Sequence, residues 1–241
     1  AHSLLAIEKS EAKGGVAMDD RENWDYCTQW SWPPGETIEF VAPGYMGWRS
    51  GEAEGPYWGR MGRSAGWEQT RQGFQNFRLE SLYLGAIPVW LGLLGFALAF
   101  RRGASQRGDL IFWSAVAVLT FLLALGKFFP LYRLFYELPG MSSIRNPVKF
   151  MQVFQFALAF LAAAGCEALL RAQGEGLRRV AGRGAWAAVA AGGLFAVWGL
   201  ILGGSQSDLV SRFAQEGWGD YARVIARNIA HSVNHASLVF L

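Results

Sequence analysis

Apolar and polar positions divide this chain unevenly. From residue 82 onward, four nearly uncharged apolar runs follow one another, at 82–100, 110–126, 150–166 and 185–204. A helix rises about 1.5 Å per residue and a bilayer core is about 30 Å thick, so about 20 apolar residues make one crossing. The second and third runs reach that length when extended to 110–129 and 148–170, because Phe128 and Phe129 follow Lys127 and apolar residues follow Glu167. One such run would suit a buried helix of a soluble protein; four in succession predict membrane spans. A fifth span is expected to begin near Ala236.

Residues 1–81 carry another pattern. Pro33-Pro34-Gly35, Pro43-Gly44, Gly55-Pro56 and recurrent glycines forbid long helices there and predict a folded loop region of short elements. Between the fourth and fifth runs, Leu209, Val210, Phe213, Tyr221, Val224, Ile225 and Ile229 can share one helix stripe. Ser207 and Asp208 are candidate caps, and Gly217 and Gly219 break the stripe in two, which predicts an amphipathic helix pair on the membrane surface.

Composition agrees with this division. The 241 residues are 52% hydrophobic and only 17% charged, against about 25% charged in soluble domains, so the chain reads as an integral membrane protein. Collagen, disordered tails and disulfide scaffolds are excluded by the aromatic content, aperiodic glycines and two cysteines. Residues 1–81 hold twelve acids and eight bases, whereas residues 82–241 hold seven and fourteen. The link 101–109 has three arginines and the link 171–184 has four, which places both in the cytoplasm. Residues 1–81, 127–149 and 205–230 then lie outside, although Lys127, Arg133, Arg145 and Lys149 in the second of these oppose the rule. The expected fold is all-α: an extracytoplasmic Trp- and Gly-rich loop region at 1–81, and a polytopic helix bundle at 82–241. The chain starts at Ala1 without methionine and stops within the apolar run SLVFL, so it reads as a fragment without a visible signal peptide.

The most informative external loop is 129–150, FPLYRLFYELPGMSSIRNPVKF. Pro147 is expected to push Asn146 into an extended conformation and to open the third span. Arg145 and Lys149 then sit near a positive helix end, a conflict that a bound anion relieves. A phosphate or pyrophosphate clamp is the functional reading; headgroup contact by snorkelling cations is the plain one. Arg49, Arg60 and Arg63 flank Tyr57-Trp58-Gly59 and could grip phosphate in bidentate fashion. Six of eleven tryptophans, including Trp48 and Trp58, fall in 1–81, as interface anchors or as platforms for a sugar or lipid-linked substrate.

The run LYRLFYELPGMSSIRNPVKFMQVFQFALAFLAAAGCEALL, with FVAPGYMGWRSGEAEGPYWGRMG upstream, resembles the YfhO family of bacterial polytopic membrane proteins. The likeness covers residues 40–170. It rests on Pro43-Gly44 with Gly47, on Tyr57-Trp58-Gly59, and on Leu138-Pro139-Gly140 followed by Arg145, Pro147 and Lys149. That family resembles GT-C glycosyltransferases, which implies a site outside the cytoplasmic membrane of a bacterium, a polyprenyl-phosphate-linked sugar donor and a cell-envelope acceptor. Arg145 and Lys149 would hold the donor phosphate, Arg60 or Arg63 would assist, and Tyr57, Trp58 and Trp48 would pack against sugar or prenyl chain. The catalytic carboxylate of such proteins follows the first membrane helix and is expected upstream of Ala1. A transporter or flippase of a lipid-linked substrate, and a non-catalytic membrane scaffold, are the alternatives.

Within the chain the external acids Asp19, Asp20, Glu22, Asp25, Glu36, Glu39, Glu52 and Glu54 are general-base candidates, and nothing in their spacing selects one. His231 and His235 have metal-compatible i,i+4 spacing but no third ligand, so no metal or cofactor is expected. Cys27 and Cys166 should lie at opposite membrane ends, unpaired, and Glu167 should pair with Arg171 one turn later. No nucleotide-binding glycine motif occurs, and topology explains the basic residues without nucleic acid.

Overall fold

A computed structural model describes residues 19–78, 81–101, 106–171 and 175–240. Residues 1–18 of the expected exterior region, and 102–105 and 172–174 of the two basic links, lie outside the described residues. Among those described there is no strand, only an isolated bridge between Arg49 and Pro56.

The helices are α1 (Asp20–Thr28), α2 (Trp67–Thr70), α3 (Ala86–Ala99), α4 (Arg107–Ala124), α5 (Pro130–Glu137), α6 (Phe150–Leu170), α7 (Glu175–Gly204), α8 (Gln206–Phe213) and α9 (Tyr221–Phe240). Three segments are long and apolar enough to cross a membrane: Arg107–Ala124, Pro147–Leu170 and Gly182–Gly204. The first expected span is shorter than its apolar run. Leu84 and Gly85 both donate their N–H groups to Phe40 O, at 3.2 and 3.1 Å, which holds 82–85 out of the helix. The 14 residues of α3 therefore cover about 21 Å. The second ends at Ala124, where Gly126 takes φ +52 and starts the 3-10 turn Gly126–Phe128, so Phe128 and Phe129 leave the span. At the fourth, α7 begins at Glu175 and takes up most of the basic link. The helix expected near Ala236 is the last part of α9, which begins at Tyr221.

Helix α6 is the centre of one unit. Helix α3 runs parallel to it, with Gly92 against Leu158 and Gly95 against Leu161. Helix α4 runs antiparallel, with Trp113 stacked on Phe160 at 4.4 Å and Phe121 tilted against Phe154 at 5.4 Å. The second unit is the antiparallel pair α7 and α9. Ser237 Oγ donates to Gly192 O at 3.0 Å, and Gln206 Nε2 to Ala226 O at 3.2 Å. The stripe of α9 buries Ile225, Ile229 and Val233 against Leu202 and Phe213, and the chain bends between α8 and α9 at Gly217 and Gly219, where the sequence placed the break. The cap of α8 is Ser205, two residues before the expected Ser207. Trp90 Nε1 donates to Gly184 O at 3.2 Å and ties the two units. Large apolar side chains such as Leu194, Leu200 and Ile201 face outward, as lipid-facing helices require.

The loop region, 19–78 with 81–85, caps one end of both units. Trp32 N–H donates to Ala124 O at 2.8 Å, Val148 N–H to Trp30 O at 3.0 Å, and Ser232 Oγ to Pro43 O at 2.7 Å. The start of α3, the end of α4, the start of α6 and the middle of α9 thus meet one folded cap. The described residues 19–78 share one end with 127–149 and 205–230.

Candidate functional site

Pro33 and Pro34 open a 3-10 helix, Pro34–Phe40. With three residues per turn, residues i and i+3 eclipse, so Glu36 and Glu39 project from the same side. Both are fully buried, at 1% and 0% exposure, and Arg78 reaches them at 3%. Arg78 Nη1 donates to Glu39 Oε2 and lies 3.5 Å from Glu36 Oε2; Nη2 donates to Glu39 Oε1 at 3.0 Å and also to Gly47 O. Tyr57 lies beneath the guanidinium, 4.3 Å from its ring centroid. Its hydroxyl donates to Glu36 Oε1 at 2.6 Å and accepts Met61 N–H at 2.7 Å.

One arginine opposes two carboxylates in this cluster. Burial raises the pKa of Glu36, against the lowering effect of the Tyr57 hydrogen bond, and burial also raises the Tyr57 hydroxyl, with Glu36 adding to it. Glu39 accepts from Arg78 through both oxygens and from Met46 N–H at 2.9 Å; Glu36 Oε2 lacks a hydrogen bond. A proton on Glu36 leaves the cluster neutral. Glu36 and Glu39, both general-base candidates by sequence, are in this structure buried packing and positioning groups. Nothing local marks Arg78, which lies 39 residues from Glu39.

The cluster places the neighbouring cations. Glu36 Oε1 also accepts Arg60 N–H at 2.8 Å, and Arg63 Nε donates to Gln75 O at 3.0 Å. Both side chains turn into a groove of about 180 Å³ shared with Trp67, Glu68, Lys127 and Phe128. Lys127 stands on its far wall because Gly126, at φ +52, fits against Ser31 and Pro147 where a side chain would collide. Ser31 Oγ then accepts Lys127 N–H at 3.0 Å. The Lys127 side chain reaches the surface, yet partial burial lowers its pKa; Arg60 and Arg63 add to this, while Asp25 opposes it. Arg60 and Arg63 share Glu68, at 3.2 and 2.7 Å, so the groove has two cations in excess. Across the Lys127–Phe128 ridge a second groove of about 380 Å³ is lined by Trp24, Phe129, Pro130 and Arg133.

Other sequence candidates are placed differently. Arg145 donates to Tyr26 Oη and stacks 4.6 Å from its ring centroid, and the exposed Lys149 closes the 3-10 turn Pro147–Lys149. Neither lines the groove of Arg60 and Arg63. Asn146 is left-handed, at φ 65 and ψ 75, instead of extended, and α6 begins only at Phe150. Its N–H donates to Cys27 O at 3.0 Å, so cap contacts on both sides of Pro147 override the local preference. Tyr57 is core and presents no surface to a ligand. Trp58 is half-buried against Tyr45 and Phe213, with Nε1 donating to Tyr45 O at 2.9 Å. Trp48 remains open, 46% exposed.

Among the acids, Asp19 caps α1 by accepting Glu22 N–H at 2.6 Å, Glu52 pairs with Arg49 and Glu54 with Arg227. Asp20 and Glu22 lie in the first turn of α1, and Asp25 acts on Lys127 through its charge. Glu167 pairs with Arg171 at 2.8 Å, and the buried Cys27 thiol points at Asn23 Oδ1 and Ser142 O. His231 is exposed, His235 faces Tyr83, and no metal-holding group of three ligands occurs among the described residues. Compared with known proteins, the chain matches no family model, no curated protein and no solved structure.

Proposed function

We propose that this chain belongs to a bacterial membrane protein of glycosyltransferase type. It would take a sugar from a polyprenyl-phosphate-linked donor to a cell-envelope acceptor on the extracytoplasmic side of the cytoplasmic membrane. The observation that carries the reading is the groove in which Arg60, Arg63 and Lys127 converge, set in the cap at the ends of the spans. A lipid-linked donor needs that arrangement: lipid-facing helix surface for the chain, and cations at the rim for the phosphate. Breaking the sugar–phosphate bond leaves negative charge on the lipid phosphate, and pre-placed guanidinium groups stabilise it without reorganisation. The likeness of 40–170 to the YfhO family supports the same class. In this assignment Arg60, Arg63 and Lys127 hold the phosphate, Arg145 and Lys149 meet headgroups beside it, and Trp48 offers a ring to sugar or lipid.

The test is binding of a polyprenyl-phosphate sugar to the purified protein in micelles. Arg60→Gln/Arg63→Gln should weaken it at least tenfold, since two charge-assisted contacts are lost, and Arg60→Gln alone, at an exposed side chain, should weaken it with thermal unfolding unchanged. Equal affinity in this double variant would remove the groove from the site.

A further inference from the structure

The anion position of the groove is already filled from within the chain. One oxygen, Glu68 Oε1, pairs with both Arg60 Nη2 and Arg63 Nη1, at 3.2 and 2.7 Å. Glu68 rides on α2, a single turn entered through Gly66 at φ 67 and left through Arg71 at φ 58; the second is a conformation that residues other than glycine seldom take. No side chain of α2 is buried. Its main anchor is Trp67, with Arg63 and Arg71 stacked at 5.0 and 4.4 Å from the ring. The loop is pinned at its neck, where Ser64 N–H donates to Phe74 O at 3.0 Å and Phe74 N–H to Ser64 Oγ at 2.8 Å.

We propose that residues 65–73 form a lid and that the Glu68 carboxylate is a resident stand-in for a ligand phosphate or pyrophosphate group, which displaces it. The proposal rests on the groove's being a phosphate site. Exchange is favourable for three reasons. Exposed ion pairs are weak enough to give way. The excess charge of Lys127, which makes no ion pair among the described residues, is left unmatched by one carboxylate but met by a pyrophosphate. The neck and the Glu36 contact to Arg60 N–H keep the arginines in place while the lid moves.

Inorganic pyrophosphate is the probe, with nanodiscs containing phosphatidate as the lipid-borne form, and the readout is tryptic cleavage after Arg71 together with binding. Pyrophosphate or phosphatidate should speed cleavage after Arg71 in the native chain; response to one alone tells whether the group arrives free or on a lipid. Glu68→Gln should cleave fast without ligand and bind pyrophosphate about three- to tenfold tighter, whereas Glu137→Gln, an acid outside the groove, should change neither. Binding in the native chain with unchanged cleavage, or with Glu68→Gln no tighter than Glu137→Gln, would overturn the lid and leave the groove standing. Absence of binding by either form, equal to that of Arg60→Gln/Arg63→Gln, would overturn both.

Discussion

Arg78→Met is expected to lower the stability of the cap by about 3–5 kcal/mol, because it leaves two buried carboxyl groups with no cation. The guanidinium contacts Glu36, Glu39 and Gly47 and covers the ring of Tyr57, so its loss uncouples four points of the loop at once. Denaturant unfolding followed by tryptophan fluorescence reports this directly, since Trp30, Trp32 and Trp58 pack in or against the same core. A loss below 1 kcal/mol would mean that the cluster does not hold the cap. Glu36→Gln separates charge from shape. Burial raises Glu36 above its ordinary value of 4.5, so the folded chain holds a proton that the unfolded chain has released. Native stability should therefore fall as pH rises from about 4.5 through the raised folded value. The amide carries no such proton, and Glu36→Gln should reduce that slope; Glu39, which burial also raises, keeps the remainder. The amide oxygen still accepts from Tyr57 and Arg60 N–H.

The second large effect lies between α3 and α6. At Gly95 an added Cβ falls well inside van der Waals contact of Leu161 O, and at Gly165 of Leu91 O. Both obstacles are backbone, which cannot swing aside as a side chain does. Gly95→Leu should cost about 3 kcal/mol or more, because the helices must separate along the seam that also seats Gly92 against Leu158. Close approach through small residues is a main source of helix association in lipid, where burial from water supplies none. Thermal unfolding in micelles should drop sharply for Gly95→Leu and Gly165→Leu, and hardly at all for Gly203→Leu, whose Cβ meets nothing within 4 Å.

The helical class and the positions of the long spans were legible because apolar length is a local property. What escaped local reading depended on contacts between distant residues. The shortening of α3 depends on Phe40 O, and the left-handed Asn146 depends on Cys27 and Trp30, none of which the 82–100 or 129–150 runs can announce. Glu36 and Glu39 were visible as acids, and the two prolines before them were a usable signal for a 3-10 turn that eclipses them. Their partner Arg78 had no such signal. Lys127 bears on topology alone in the sequence, yet Gly126 and Ser31 make it a wall of the groove. Arg60 and Arg63 follow Tyr57-Trp58-Gly59 closely in sequence, and in the fold Glu36 and Tyr57 hold the backbone at Arg60 and Met61 from which they project.

The most direct measurement is a photocrosslink from position 128, on the ridge between the two grooves, in membranes of cells that express the chain, with the adduct identified by mass spectrometry. A donor-phosphate site in the groove predicts an adduct of a polyprenyl-phosphate sugar or its polyprenyl phosphate, lost in Arg60→Gln/Arg63→Gln. Adducts of bulk phospholipid alone, equal in the native chain and that variant, would contradict it.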